Sequence, residues 1–141
     1  MGAWGVGILE DDTALDWVEE EYSAAGVEAV RHALLAVADT DANDYIEVDA
    51  GAAARCAAEI VAMAFGATDP ELDSDAEMAL GEHTAQVAED ADLIPLALRA
   101  LARLAADNSE LNELWTENGG DITVAWQTQM ADLVSRLEGA K

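Results

Sequence analysis

Ala50-Gly51-Ala52-Ala53-Ala54-Arg55-Cys56-Ala57-Ala58-Glu59-Ile60-Val61-Ala62-Met63-Ala64-Phe65 is the stretch on which the fold turns. Alanine is the strongest helix former because it loses no side-chain entropy, and its small side chain lets neighbouring helices come close. Asp49 just before the run is positioned as an N-cap, and Gly66 just after it is a terminator. Arg55 and Glu59 interrupt the apolar run, so it predicts a packed helix in a globule and no membrane span.

The flanking segments predict more helices. On the N-terminal side, Val27, Val30, Leu34 and Val37 form one stripe of a helix from about residue 27 to 38. Before it, Asp12 can cap a helix on which Leu15, Val18 and Tyr22 recur, with Trp17 widening the apolar face and Gly26 ending it. Residues 2 to 9 hold three glycines and are read as an ordered arm. Between the second helix and the alanine run, residues 39 to 44 are turn-rich, and Tyr45 to Val48 is a strand-like run too short to build a sheet alone.

On the C-terminal side, Pro70 marks a loop, and the helical signal from Ser74 to Glu89 is weakened by Gly81. Asp92 precedes a stripe of Ile94, Leu98, Leu101 and Leu104, with Pro95 tolerated in the first turn. Leu111, Leu114 and Trp115 follow from the cap-prone Asn108 and Ser109, and Gly119 and Gly120 then break the chain. Ile122, Trp126, Met130, Leu133 and Leu137 close the sequence at helical spacing. The expectation is an all-α, compact single domain over residues 1–141, a bundle of six or seven helices with a glycine-rich N-terminal arm.

Thirty acidic residues face six basic ones, a formal charge of -24, and Lys141 is the only lysine. Phosphate backbones are bound through Lys and Arg that displace counterions, so nucleic acid is excluded as a ligand. A basic protein fits the sign. An acidic excess of this kind also resembles proteins adapted to high salt, in which screening relieves self-repulsion. The single Cys56 permits no internal disulfide, and its apolar neighbourhood predicts burial and a reducing compartment. Residues 1 to 9 lack the positive start of a signal peptide, so a cytoplasmic location is expected.

Met1-Gly2-Ala3-Trp4-Gly5-Val6-Gly7-Ile8, followed by Glu10-Asp11-Asp12-Thr13-Ala14-Leu15-Asp16-Trp17, resembles the opening of the bacterial family known as domain of unknown function 4259. Tyr45-Ile46-Glu47 ahead of Ala57-Ala58-Glu59-Ile60-Val61, and Asn108-Ser109-Glu110-Leu111 running into Glu113-Leu114-Trp115, are similar to its later blocks. The resemblance covers nearly the whole chain. It implies domain boundaries and a cytoplasmic location and supplies no catalytic residues.

Four candidate sites stand out. The glycines at 2, 5 and 7 lack a preceding strand and a following lysine, and Glu10, Asp11 and Asp12 would repel phosphate, so they are read as turns of the arm. Asp39, Asp41, Asn43, Tyr45 and Glu47 place oxygen donors at alternate positions, as at the start of an EF-hand loop. Asp44 stands where that loop needs glycine, and Ala50 where it needs its bidentate glutamate. A solvated acidic turn without a cofactor is therefore expected, with weak calcium binding by Asp39, Asp41, Asn43 and Glu47 as the alternative. Glu28 and His32 lie one helical turn apart, and His83 lies near Glu82 and Glu89, but a closed metal site would need these segments to converge, and a salt-bridged surface pair is the expected reading. Finally, Asp16, Glu19 and Glu20 form the acidic face chosen for a basic partner.

No nucleophile–base arrangement is present, since Cys56 lies in the alanine run and Ser23, Ser74, Ser109 and Ser135 have no elbow or neighbouring histidine motif. The expected function is a non-catalytic protein-binding module of the immunity, inhibitor or nucleic-acid-mimic type. The alternatives are an accessory domain with a salt-adapted surface and a regulator that binds divalent cations weakly. Partner identity and oligomeric state leave no trace in the sequence.

Overall fold

The computed structural model describes residues 12–117 and 119–140, and the expected arm over residues 2 to 9 lies outside them. The chain is all-helical there. A rod made of α1 (Asp12–Trp17), a π-helical turn (Val18–Tyr22) and α2 (Ser23–Ala25) leads into α3 (Val27–Ala38) and the long α4 (Val48–Ala64). Then follow α5 (Ser74–Gly81), α6 (Thr84–Val87), α7 (Leu93–Leu104), α8 (Glu110–Thr116) and α9 (Gly120–Gly139). With the rod taken as one, eight helices are described, where six or seven were expected, because the weak segment at Gly81 divides into α5 and α6.

Helix α4 is the axis. It packs against α3 and α7, which also pack on each other, and it is further covered by α1, α5, α6, α8 and α9. From Gly51 to Ala62 every residue except Ala53 is buried. A helix covered on all sides must be apolar all round. Here it must also be small, because a Cβ on Gly51 would sit 3.2 Å from both Leu104 Cδ2 and Leu111 Cβ. The alanines thus act less through propensity than by letting α7 and α8 close on the backbone.

Two charged side chains are buried in this helix, and each is tied to α9. Glu59 takes both guanidinium nitrogens of Arg136, at 2.5 and 3.0 Å, and Arg136 also bonds Asp132 at 2.8 Å. One turn earlier, Arg55 lies 5.0 Å over the Trp126 ring and donates to Gln129 Oε1 at 2.7 Å. Burial disfavours the charged form of Arg136, but the Glu59 and Asp132 contacts outweigh it and hold its pKa above the usual guanidinium value.

The rod departs from a regular helix for a visible reason. Trp17 and Tyr22 are five residues apart, about 140° around an α-helix. The widened turn, in which the Ser23 amide reaches Val18 O, brings their rings into a stack with centroids 5.8 Å apart. Tyr22 then donates to Leu80 O at 2.6 Å and accepts from the His83 amide at 2.9 Å, joining the rod to α5 and α6. The buried stripe is accordingly Ala14, Trp17, Val18 and Tyr22, and Leu15 is only half-buried.

Three local expectations are corrected. Asp49 does not cap α4: the helix begins at Val48, whose amide donates to Glu110 Oε1 at 2.8 Å, so the cap comes from 62 residues away. Tyr45 to Val48 forms no strand, only a parallel bridge between Ile46 and Ser109, made by Ile46 N to Asn108 O and Glu110 N to Ile46 O. Ile122 is exposed at 41% because it lies on the side of α9 that points away from the bundle, although Trp126, Met130, Leu133 and Leu137 are buried as their spacing predicts. Cys56 is fully buried, as expected.

Breaking one half of the Glu59–Arg136 pair leaves a buried charge without its partner, a loss of about 3–5 kcal/mol in comparable cases. Arg136→Met and Glu59→Leu should each destabilise by that order in chemical denaturation, and the double variant by clearly less than the sum. Strict additivity would show that the pair does not hold α9 to α4.

Candidate acidic groove

Asp16 and Glu20 are one turn apart on the rod, and the π-helical turn adds Glu21 to their side. Across from them Asp49, freed from capping, projects from the first turn of α4. These carboxylates, with Thr13, Trp17 and Ala53, line an open groove of about 360 Å³. Of the three residues chosen from sequence, Asp16 and Glu20 therefore share one concave surface, and Glu19 is exposed on the rod outside it. Glu21 and Asp49 were not foreseen. The widened turn that includes Glu21 has no sequence period of its own, and Asp49 resembled a cap.

None of the four groove carboxylates has an ion pair among the described residues, because every arginine is committed elsewhere. Arg31 pairs with Glu28 and with Asp90 at 2.8 Å, and this contact holds the Asp90 carboxyl below its usual range. Arg99 pairs with Asp39, Arg136 with Glu59 and Asp132, and Arg55 with Gln129 and the Trp126 face. Arg103 gives its donors to backbone carbonyls of the turn at residues 39–44 and of Asp107.

The calcium-like set is not drawn together. The Asp39 carboxylate faces Arg99 at 3.1 Å, Asp41 Oδ1 accepts from the Asn43 amide at 2.9 Å, and Glu47 is exposed in the extended residue before α4. Among the described residues no group of three or more His, Cys, Asp or Glu side chains is disposed to hold a metal ion. Glu28 turns to Arg31, and His32 is exposed. His83 lies edge-on to Tyr22 with Nε2 3.1 Å from Ser23 O and 3.7 Å from Glu82.

Tyr45 donates to Glu113 Oε1 at 2.7 Å, and this bond to a carboxylate pushes the phenol up to about 12. A folded-state pKa above the unfolded value near 10 stabilises below pH 10 and ceases to do so as pH rises through 12. In a Glu113→Gln variant, ultraviolet titration should show Tyr45 ionising closer to 10, and an unchanged midpoint would remove the assignment.

Four carboxylates around one groove, without an ion pair among the described residues, repel one another. Neutralising two of them, in Asp16→Asn with Glu20→Gln, should raise Tm at low ionic strength, and the gain should vanish in molar salt as screening shortens to about 3 Å. A loss of stability at low salt would show that these side chains make attractive contacts.

No curated protein and no solved structure matches the chain. The family model described as Domain of unknown function (DUF4259) matches residues 2–129, and the chain belongs to that family.

Proposed function

We propose that the protein is a non-catalytic binding module that docks a basic segment of another protein in the groove between the rod and α4. The observation that carries this reading is the set Asp16, Glu20, Glu21 and Asp49 around one concavity, with no ion pair to them among the described residues. A solitary carboxylate is readily left to water, but four facing one another raise the local negative potential and favour an incoming Arg or Lys. Complementary potential of this kind accelerates encounter and selects against acidic partners. An immunity, inhibitor or nucleic-acid-mimic role fits the same chemistry, since toxins and nucleic-acid enzymes present basic surfaces. A cytoplasmic setting, where the free thiol of Cys56 persists, belongs to this reading.

The test is titration with an arginine-rich peptide, read by calorimetry. Glu20→Gln and Asp49→Asn should each weaken binding by about tenfold, roughly 1.4 kcal/mol, and the affinity should fall with added salt. Glu77→Gln and Glu117→Gln remove the same charge away from the groove and should leave binding almost unchanged. Equal losses from all four variants would show that the peptide follows net charge alone.

A second reading, a surface adapted to salt, is favoured by the charge of -24 with a single lysine. It predicts unfolding midpoints that climb steeply toward molar salt. Full stability at moderate ionic strength would count against it.

A further inference from the structure

We propose that Tyr22 is a positioning residue of the acidic groove: its hydroxyl pins the π-helical turn, and that turn presents Glu21 to the basic partner, a role that rests on the groove being the docking site. Asp16 and Glu21 are five residues apart, and so are Trp17 and Tyr22. On a regular α-helix that separation is about 140°, which would turn Glu21 away from the side shared by Asp16 and Glu20. A turn bonded over five residues, as the Ser23 amide is to Val18 O, sets such pairs one above the other. One widening therefore closes two pairs. The Trp17 and Tyr22 rings stack within the core, with centroids 5.8 Å apart, and Asp16 and Glu21 both reach the groove. Helical turns of the π type are rare, and they occur mostly as single turns that are frequently at functional sites. Here the turn also gathers like charges, which repel. Neither the backbone nor the carboxylates favour this register, so contacts from elsewhere must hold it.

Tyr22 supplies those contacts. Its hydroxyl donates to Leu80 O at 2.6 Å and accepts from the His83 amide at 2.9 Å, and its ring meets the His83 ring edge-on with centroids 5.2 Å apart. His83 Nε2 in turn lies 3.1 Å from the carbonyl of Ser23, the residue whose amide closes the wide turn. The rod ends at Gly26 with φ of 59°, where a Cβ would meet Gln86 Oε1 at 2.7 Å and His83 Cγ at 3.2 Å, so the chain leaves the rod pressed against α6. A rod in regular register would give up the Tyr22 contacts, because a change of one residue swings a side chain by about 100°. Tyr22 is fully buried and outside the groove lining, and it acts through its neighbours Glu21 and Trp17, which belong to that lining. Burial raises the Tyr22 pKa, so the hydroxyl remains a donor at neutral pH.

The test is calorimetric titration with the arginine-rich peptide, alongside thermal unfolding followed by circular dichroism. Tyr22→Phe keeps the ring and the net charge and removes only the hydroxyl. It should weaken peptide binding by about fivefold, and Glu21→Gln, costing a similar factor in the native chain, should cost almost nothing further in Tyr22→Phe. Glu20→Gln should lose its full factor of about tenfold in both. Deletion of the exposed Glu19 shortens both five-residue spacings to four, so a regular helix keeps the two pairs together without the pin. In that background Tyr22→Phe should bind the peptide as well as the native protein does, and should lower Tm by less than it does in the native chain. Should Tyr22→Phe alone fail to fold, recovery of helical signal on deleting Glu19 supports the proposal and continued failure overturns it. It is equally overturned if Glu21→Gln keeps its whole effect in Tyr22→Phe, if Tyr22→Phe binds like the native protein, or if deleting Glu19 does not restore binding. Peptide binding indifferent to Glu20 and Asp49 would instead remove the groove reading and with it the role of Tyr22 in docking, and the hold of Tyr22 on the turn would then stand or fall on the coupling in Tm.

Discussion

Close packing around α4 is the constraint from which the other features follow. A helix enclosed on every side by seven others in contact leaves no room for large side chains along most of its length, so its middle is alanine, glycine and cysteine, with Ile60 and Val61 near the end. Interiors packed at crystal-like density penalise added volume and voids alike. The larger apolar groups accordingly come from the surrounding helices: Tyr22 from the rod, Leu34 from α3, Leu101 and Leu104 from α7, and Trp126 and Leu137 from α9. Where α4 does carry charge, at Arg55 and Glu59, the partners are on α9, and no buried polar side-chain atom among the described residues is left unsatisfied.

This arrangement also determines what remains for the surface. Every arginine is engaged in holding elements together, whether by pairing, by stacking or by filling the turn before α4. Little positive charge is then left to offset the acidic exterior, and the formal charge of -24 is expressed as open carboxylates. Where the backbone concentrates them, between the π-helical turn and the first turn of α4, they border a groove. Long-range interactions of this kind govern solubility and encounter more than fold. The architecture therefore tolerates the charge, and the groove is where that charge acquires a shape.

Much of the fold was legible because helical periodicity is a repeated signal. The stripe Trp126, Met130, Leu133 and Leu137 is buried as its spacing predicts, as are Val30, Leu34 and Val37. Positions decided by partners far along the chain were not legible. Glu110 caps α4 from the start of α8, so Asp49, one residue inside the helix, was free to become a wall of the groove. The π-helical turn depends on Tyr22 reaching Leu80 and His83, which no local window contains. Likewise the backbone carbonyls of Thr40, Asp41 and Asp44 are met by Arg103, some 60 positions later, which no local reading of the turn contains.

The most direct test of the account is native-state amide hydrogen exchange followed residue by residue. Amides from Ala54 to Ala62 should open only with global unfolding, more slowly than those of α5, α6 and α8, which pack on α4 and have fewer buried groups of their own. If α4 instead exchanged at the rate of those short helices, the claim that a small-residue helix organises the protein from its centre would be contradicted.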